Sequence, residues 1–475
     1  MRFTIALIAG KLCEVVLKIL GKFLRVKGTR FPGDVALKIC PDFLNRLAKP
    51  EWIVGVTGTD GKTTTCNLLI DSFEKCGYKV LCNRTGTNIL PGVAVAFMDG
   101  VTLGNKCKYD VAVIEIDERS AVHIFPKMQP DFLVVTNLFR DSLKRNAHPE
   151  FIFNVIRDSM PKPGSRPGKD MTVICNGDDV ISCRLGKGYP TVTFGIDRLP
   201  SDREESFNIM NDARICPECH HKMTYEFVRY HHIGRCYCEN CGFKLPETDY
   251  QATKLDIENR IMTVKHQGEE RQYRILSDSI FNIYNELTAI TVLSETVKDP
   301  EKVKSVIDSM EITKDRFTER TVAGRKLVTC TAKDSNATAC SIVFDYVRNE
   351  PGRKDVMLNI DEYFDNRGSY EILSWMYDCD FEFLNDDLIE RIIIGGKRCR
   401  DVKFRLLLAG VPEEKLFICD KEEDVYKYLT YEEGKDIYLL HDMYFVSQDQ
   451  AASIVKNIEA RLNGEASAKE ETNND

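Results

Sequence analysis

The stretch Val54-Gly55-Val56-Thr57-Gly58-Thr59-Asp60-Gly61-Lys62-Thr63-Thr64-Thr65 constrains the fold more than any other part of the chain. Trp52 to Val56 is an apolar run that reads as a buried strand, a Gly-rich turn follows, and Cys66 to Phe73 continues with helical spacing. Strand, glycine turn and helix in that order make a phosphate cradle. Backbone N–H groups point inward and the helix adds its positive end, so phosphate oxygens are held without bulky side chains. Lys62 is placed to reach the β- and γ-phosphates, and the Thr63 hydroxyl to sit on Mg²⁺. The usual Walker spacing would put its first glycine at Val56; this chain has Gly58 instead, so the loop is a variant.

The form Thr57-Gly58-Thr59-Asp60-Gly61-Lys62-Thr63-Thr64 resembles the Mur ligase family, ATP-dependent enzymes that join an amine to a carboxylate during peptidoglycan synthesis. Asp60 stands where that family more often has Asn. The resemblance implies that Thr57, Gly58, Thr59, Gly61, Lys62, Thr63 and Thr64 bind ATP. A second buried-strand run, Val111 to Ile114, ends in Glu115-Ile116-Asp117-Glu118. A carboxylate at the C-terminal end of a parallel strand lies at the mouth of the sheet, where ligands bind in open α/β folds. Resemblance to the family's strand-end glutamate makes Glu115 a Mg²⁺ ligand together with Thr63, with Asp117 and Glu118 as weaker candidates.

A third strand, Asp131 to Thr136, runs into Asn137-Leu138-Phe139-Arg140-Asp141, which resembles the MurT branch of the family, whose ligase subunit amidates lipid II. That branch usually carries Gln and Asp at the positions of Ser142 and Lys144. By the same resemblance Asn137 and Asp141 belong at the phosphate and metal site. Asn285, near the start of a helix that runs from Phe281 through Val297, matches the family's nucleotide-contacting asparagine, although an asparagine there also suits a helix cap.

Cys216-Pro217-Glu218-Cys219 and Cys238-Glu239-Asn240-Cys241 are two Cys-x₂-Cys knuckles separated by eighteen residues. Cys216, Cys219, Cys238 and Cys241 thereby supply four thiolates for a tetrahedral Zn²⁺, and Gly242 suits the tight turn after the second pair. Cys236, His220, His221, His231 and His232 lie in the same stretch, but the spacing prefers the four cysteines. Four protein ligands leave no open position, so the ribbon is expected to be structural. Ribbons bind nucleic acid elsewhere, and Arg214, Lys222, Arg229, Arg235 and Lys244 interleave with Tyr225, Phe227 and Tyr230 here. Against this, a formal charge of −8 and a pI near 5.7 give no general nucleic-acid footprint, and none is expected as a partner.

Met1 to Val26 is rich in Leu, Ile and Val, yet Lys11, Glu14, Lys18 and Lys22 interrupt it about every turn, which rules out a spanning helix. It reads as an amphipathic helix with a basic face. Packing of Leu7, Leu12, Val15, Val16, Ile19 and Phe23 on the protein is the expected use, and lying on an anionic membrane surface is the other. Eighteen cysteines without a secretory cleavage site point to a reducing compartment. The expected location is the cytoplasm, with peripheral contact at the inner face of the plasma membrane left open.

The expected fold class is α/β: a Mur-ligase-like central ATPase domain with a parallel sheet and an inserted zinc ribbon, plus a smaller C-terminal α/β domain. Residues 1–50 form the amphipathic helical lead-in, 51–313 the ATP-binding domain, 214–243 the Cys₄ ribbon within it, 314–463 the C-terminal domain, and 464–475 a disordered acidic tail. In the C-terminal domain, strands are expected over Lys326 to Thr331, Asp355 to Asn359, Ile392 to Ile394, Leu416 to Ile418 and Asp436 to Leu440. Leu358 to Asp365, Ser374 to Glu382 and Gly396 to Val402 resemble the MurT-type C-terminal domain, whereas Ala332-Lys333-Asp334-Ser335-Asn336 departs from the Lys-Asn-Pro common there.

The resemblance implies a substrate: the α-carboxyl of D-glutamate in the stem peptide of lipid II, activated as an acyl phosphate and amidated with ammonia to D-isoglutamine. Ammonia is protonated at neutral pH, so a glutaminase must release it, and no cysteine here lies on a Gly-x-Cys-x-Gly elbow. The resemblance names the partner, a GatD-type glutaminase subunit, and implies an aspartate from this chain that completes the partner's Cys-His pair. Asp378 is the first choice for it and Asp380 the alternate. Competing readings are a stand-alone Mur or folylpolyglutamate-type ligase that adds an amino acid, and a zinc-ribbon nucleotide-binding protein.

Overall fold

Consecutive β-branched residues can be buried on both sides only in a sheet covered by helices on both faces. In the computed structural model, which describes residues 1–24, 30–84, 87–141, 148–165, 170–311, 317–332, 336–360, 373–442 and 445–464, the central strands meet that condition. Ile53, Ala112, Ile114, Leu133, Val135 and Val173 point into one hydrophobic layer with Phe97 and Ile152. Val54, Val56, Val113, Val134 and Ile174 point into the other with Leu69, Phe73, Leu287 and Ile290. The alternation is that of a pleated sheet with two cores.

The chain divides into two units: Met1–Phe139, His148–Ser206 and Asp212–Thr313 form the first, and Arg140–Ala147, Phe207–Asn211 and Lys314–Asp475 the second. The first unit carries β1 (Trp52–Thr57), β2 (Val80–Cys82), β3 (Val111–Glu115), β4 (Phe132–Val135), β5 (Thr172–Asn176) and β6 (Thr191–Ile196). The hairpin β7 (Thr224–Tyr230) and β8 (Ile233–Tyr237) follows, then β9 (Tyr250–Asp256), β10 (Ile261–His266) and β11 (Glu269–Arg274). Among the described residues, nine of these make one sheet in the order β11-β10-β9-β6-β5-β4-β1-β3-β2. From β2 through β9 neighbours run parallel, whereas β9, β10 and β11 form an antiparallel meander at one edge. Because β1 has β3 on one side and β4 on the other, the turn after β1 opens where the strand order reverses, the usual ligand crevice of such sheets.

The N-terminal helix, Arg2–Leu24, corrects the sequence reading. Ala6 and Leu7 are buried in the first core, and at Gly10 an added Cβ would lie 2.5 Å from Met98 Sδ, so a larger residue there would have to displace the Met98 side chain. Leu12, Val15, Val16 and Ile19, expected to pack on the protein, are exposed instead. The helix meets its neighbours on the face of Ala6, Leu7 and Gly10, and the other apolar side has nothing over it among the described residues.

The second unit holds β12 (Phe317–Val322), β13 (Arg325–Thr331), β14 (Arg353–Asn359), β15 (Ile389–Gly395), β16 (Leu416–Cys419) and β17 (Lys435–His441) in the order β12-β13-β17-β14-β15-β16. All neighbours are parallel except the β12–β13 hairpin. Ser142 and Lys144, the junction near 313–316, Lys333 to Ser335, Asp361 to Asp365 and the tail 465–475 lie outside the described residues.

Candidate active site

The turn between β1 and the helix Lys62–Lys75 is built from two glycines in left-handed backbone, Gly58 at φ +132° and Gly61 at φ +83°. Space, besides backbone, demands them. A Cβ at Gly58 would lie 2.2 Å from Thr136 Oγ1, and one at Gly61 would lie 2.2 Å from Asn285 Oδ1. No side chain caps the helix at Gly61, so its first N–H groups face the turn without a protein acceptor from a cap. That is the donor set a phosphate needs.

Lys62 folds back over this turn. Its Nζ donates to the carbonyl oxygens of Gly58 and Thr59, the latter at 3.1 Å, and to Glu118 Oε1 at 2.9 Å. Its side chain is 14% exposed and that of Glu118 is 3% exposed. Burial works against the Lys62 ammonium, but Glu118, with help from Glu115 and Asp60, outweighs it and holds the pKa above its ordinary value. The lysine is therefore fixed as a cation at the mouth of the cradle. Glu118 was expected only as a weak metal candidate; pairing across 56 residues has no local signature in the sequence.

Thr63 and Glu115, the pair expected at Mg²⁺, are brought together: Thr63 Oγ1 donates to Glu115 Oε2 at 2.9 Å. Asn88 Nδ2 donates to the other carboxylate oxygen at 3.0 Å, and Asn83 brackets the Glu115 backbone with two hydrogen bonds of 2.9 Å. A hydroxyl and a carboxylate, both oxygen donors and held from behind, suit a hard divalent cation beside a phosphate. When bound, such a cation would neutralise phosphate charge.

The other expected nucleotide residues divide by what their side chains touch. Asn137 spends both ends of its amide on Asp60, accepting from its N–H at 2.9 Å and donating to its carbonyl at 3.1 Å, while its own carbonyl accepts from Thr59 N–H. It shapes the turn from behind. Asn285 sits in the second turn of the helix Ile280–Val297, not at its cap, and accepts from Thr65 Oγ1 at 3.2 Å. Thr59 exchanges hydrogen bonds with the backbone of Phe139, and the Thr57 hydroxyl is buried without a protein partner. Thr64 is half-buried at the start of the helix.

The ribbon cysteines cluster as the spacing requires. The Sγ atoms of Cys216, Cys219, Cys238 and Cys241 all lie within 4.8 Å of one another, with Cys216–Cys241 at 3.7 Å and Cys219–Cys238 at 3.4 Å. Zn–S bonds of about 2.3 Å in a tetrahedron place sulfurs roughly 3.8 Å apart, so the donor set fits the ion. His220 at φ +62° and Gly242 at φ +73° follow the second cysteine of each knuckle, and their N–H groups donate to the carbonyls of Cys216 and Cys238 at 3.0 Å. Cys236 lies outside the cluster; burial pushes its thiol up to about 12.

The other end of the ribbon hairpin was not anticipated. Arg229 on β7 donates to Asp202 at 2.8 and 3.1 Å, to Tyr284 Oη, and to the carbonyls of Ile196 and Asp197; Tyr284 in turn donates to Asp178 at 2.7 Å. At the hairpin tip, His232 Nε2 lies 3.2 Å from Asp179, and its ring is 4.8 Å from that of Phe139. Burial favours a neutral Asp179, but His232 and the amides of Ile181 and Leu138 outweigh it and hold the carboxyl below its ordinary value. Since the Phe139 backbone is bonded to Thr59 and its ring touches His232, the hairpin tip backs the phosphate turn through that one residue. If the four cysteines hold zinc, changing Cys238 to serine should abolish its binding, read by zinc analysis, and lower the melting temperature by several degrees, with weakened nucleotide binding as a consequence. An unchanged nucleotide affinity in zinc-free protein would separate the two ends of the hairpin.

In the second unit, Asp378 and Asp380 differ sharply. Asp380 is 1% exposed and accepts from Asn208 Nδ2 at 2.9 Å and from Ile209 N–H at 2.6 Å. The Asp378 side chain is 28% exposed, with Oδ2 3.3 Å from Arg140 Nη1. Buried Arg405 braces the turn that carries both, donating to the carbonyls of Met376 and Cys379 and to Glu382, each at 2.9 Å.

Comparison with known proteins agrees with this geometry. The family described as MurT ligase C-terminal matches residues 334–444. Among solved structures, a pseudomurein peptide ligase type C from Methanothermus fervidus superposes with a TM-score of 0.64 over 88% of this chain and 81% of its own, at 19% identity. The MurF ligase of Thermotoga maritima in complex with ADP gives 0.55 over 92% and 85%, at 14% identity. Both share the fold. In sequence, the chain is 29% identical to the MurT subunit of lipid II isoglutaminyl synthase (glutamine-hydrolyzing) from Staphylococcus aureus strain COL, over 90% of this chain and 92% of that one. It is 31% identical to the subunit of the same name from Streptococcus pneumoniae strain R6, over 93% and 94%. With likeness at that level running through nearly the full length of both chains, and its cradle, ribbon and C-terminal unit all present, this chain belongs to the MurT family of Mur-type ligases.

Proposed function

We propose that this chain is the ligase subunit of an ATP-dependent, glutamine-hydrolysing amidotransferase of peptidoglycan synthesis, acting on the α-carboxyl of D-glutamate in lipid II. The observation that carries the reading is the convergence of Lys62, Thr63 and Glu115 at one uncapped helix end, in a chain whose relatives bear that name. The carboxylate oxygen attacks the γ-phosphorus of ATP, and ADP leaves. Ammonia then adds to the carbonyl carbon of the acyl phosphate, loses a proton, and expels phosphate. Lys62 balances charge on the phosphoryl oxygens as it moves from one acceptor to the other. Thr63 and Glu115 would hold Mg²⁺, which would supply further neutralisation when bound.

Nitrogen comes from a GatD-type glutaminase chain, and Asp378, the accessible member of its pair, orients that partner's catalytic imidazole. Zn²⁺ on the four cysteines is structural. The substrate is lipid-borne, so the enzyme works in the cytoplasm at the inner face of the membrane. Coexpression with the glutaminase, then mass spectrometry of lipid II after adding ATP, Mg²⁺ and glutamine, should show OH replaced by NH₂. A mass gain equal to an amino-acid residue would instead support a stand-alone adding ligase, and an unchanged lipid would end the proposal.

A further inference from the structure

The exposed side of the N-terminal helix has a pattern that the ATP chemistry does not use. Ile5, Ile8, Leu12, Val15, Val16 and Ile19 recur at three- and four-residue steps, so they share one face of Arg2–Leu24. Each is between 45 and 62% exposed. The opposite face is the one that holds Ala6, Leu7 and Gly10 against the protein, and Lys11 Nζ fastens it further by donating to Met98 O at 2.7 Å. A continuous apolar stripe this long on an anchored helix is not the scatter of single apolar residues that any surface shows.

Charge says what covers it. The first thirty residues contain seven basic residues and one acid, Glu14, in a chain whose formal net charge is −8. Exposed Arg2 and Lys18 flank the stripe, and Glu14 is already bonded to Lys18. A second copy laid against this face would set basic edge against basic edge. Anionic headgroups would meet those edges while the stripe enters the acyl boundary, with long cationic side chains reaching back to the headgroup level. Among the described residues no helix is long and apolar enough to cross a membrane, so the contact is in-plane.

We propose that the face of Ile5, Ile8, Leu12, Val15, Val16 and Ile19 docks this chain on an anionic lipid surface, parallel to the membrane plane. Its use in bringing the ligase to a lipid-borne carboxylate rests on the function proposed above; the docking itself does not. The test uses the full chain with its partner subunit, sedimented with vesicles of phosphatidylcholine alone or mixed equally with phosphatidylglycerol. The mixed vesicles should retain the protein. The triple variant Ile8→Gln, Leu12→Gln, Ile19→Gln should lose retention by at least about tenfold, with melting temperature and ATP binding little changed because these side chains are more than half exposed and belong to neither core. A second variant, Arg2→Gln with Lys18→Gln, should lose the preference for mixed vesicles.

Turnover provides the separating arm. The triple variant should amidate a water-soluble, short-chain form of the substrate at the normal rate and the vesicle-borne form poorly. Docking without turnover of either form would sink the proposed function and leave the surface assignment standing. Turnover of both without vesicle retention, or retention untouched by the triple variant, overturns the docking. So does a change of oligomeric state or loss of partner binding in that variant without any effect on vesicles.

Discussion

A Lys62→Ala chain is expected to fold normally and to lose ATP-dependent amidation by about a hundred- to a thousandfold, the effect of removing one preorganised charge from a transferring group. The loss should appear in single turnovers with ammonia supplied directly, which bypasses the glutaminase. Folding should survive because Lys62 bonds only to two turn carbonyls and Glu118 and contributes nothing to either core. Glu118 would be left buried without its cation, and because burial already pushes its carboxyl upward, its protonated form is favoured once Lys62 is gone. Lys62→Arg should not rescue, since three converging acceptors fitted to a compact ammonium do not admit a planar guanidinium. Normal single-turnover rates in the alanine variant would remove the phosphate cradle from the mechanism.

The second large effect should be selective. Asp378→Asn is expected to abolish glutamine-supported amidation, by about 10⁴-fold if it acts as the orienting member of a triad, and to spare amidation with free ammonia. Asp380→Asn supplies the contrast. Its two carboxylate oxygens hold Asn208 and the Ile209 amide in a buried setting, so this change should cost about 1–3 kcal/mol of stability and impair both nitrogen sources alike. Glutamine-supported turnover that is unaffected by Asp378→Asn would take that residue out of the ammonia supply.

What could be read from the sequence was whatever depends on neighbours along the chain. The strands of the central sheet announce themselves because burial on both faces demands unbroken runs such as Val111 to Ile114. The cradle and the knuckles are equally local, a matter of glycines and cysteines at fixed steps. Two edge strands, β11 and β12, were missed for the complementary reason. Thr318 to Thr321 in β12 are exposed, and β11 reads Glu-Glu-Arg-Gln-Tyr-Arg; both are held by ladder hydrogen bonds, so no apolar period marks them. Long-range polar pairing was also invisible, as with Lys62 and Glu118 or Arg229 and Asp202. For the N-terminal helix the period gave a face but not its direction. Which side turns inward depends on the shape of Met98 and Pro32 near Gly10, which no helical repeat records.

The anchoring of Arg229 has a consequence for how this insertion can be inherited. A ribbon joined only by its two chain ends would behave as a cassette, free to be trimmed away or exchanged between relatives. Here its excision would strip the guanidinium from the buried carboxylates of Asp202 and Asp178 and withdraw the ring that props Phe139. A chain that lost the ribbon alone would keep two buried carboxylates without their cation, so loss of the cysteine knuckles is expected to be costly unless those aspartates change with it.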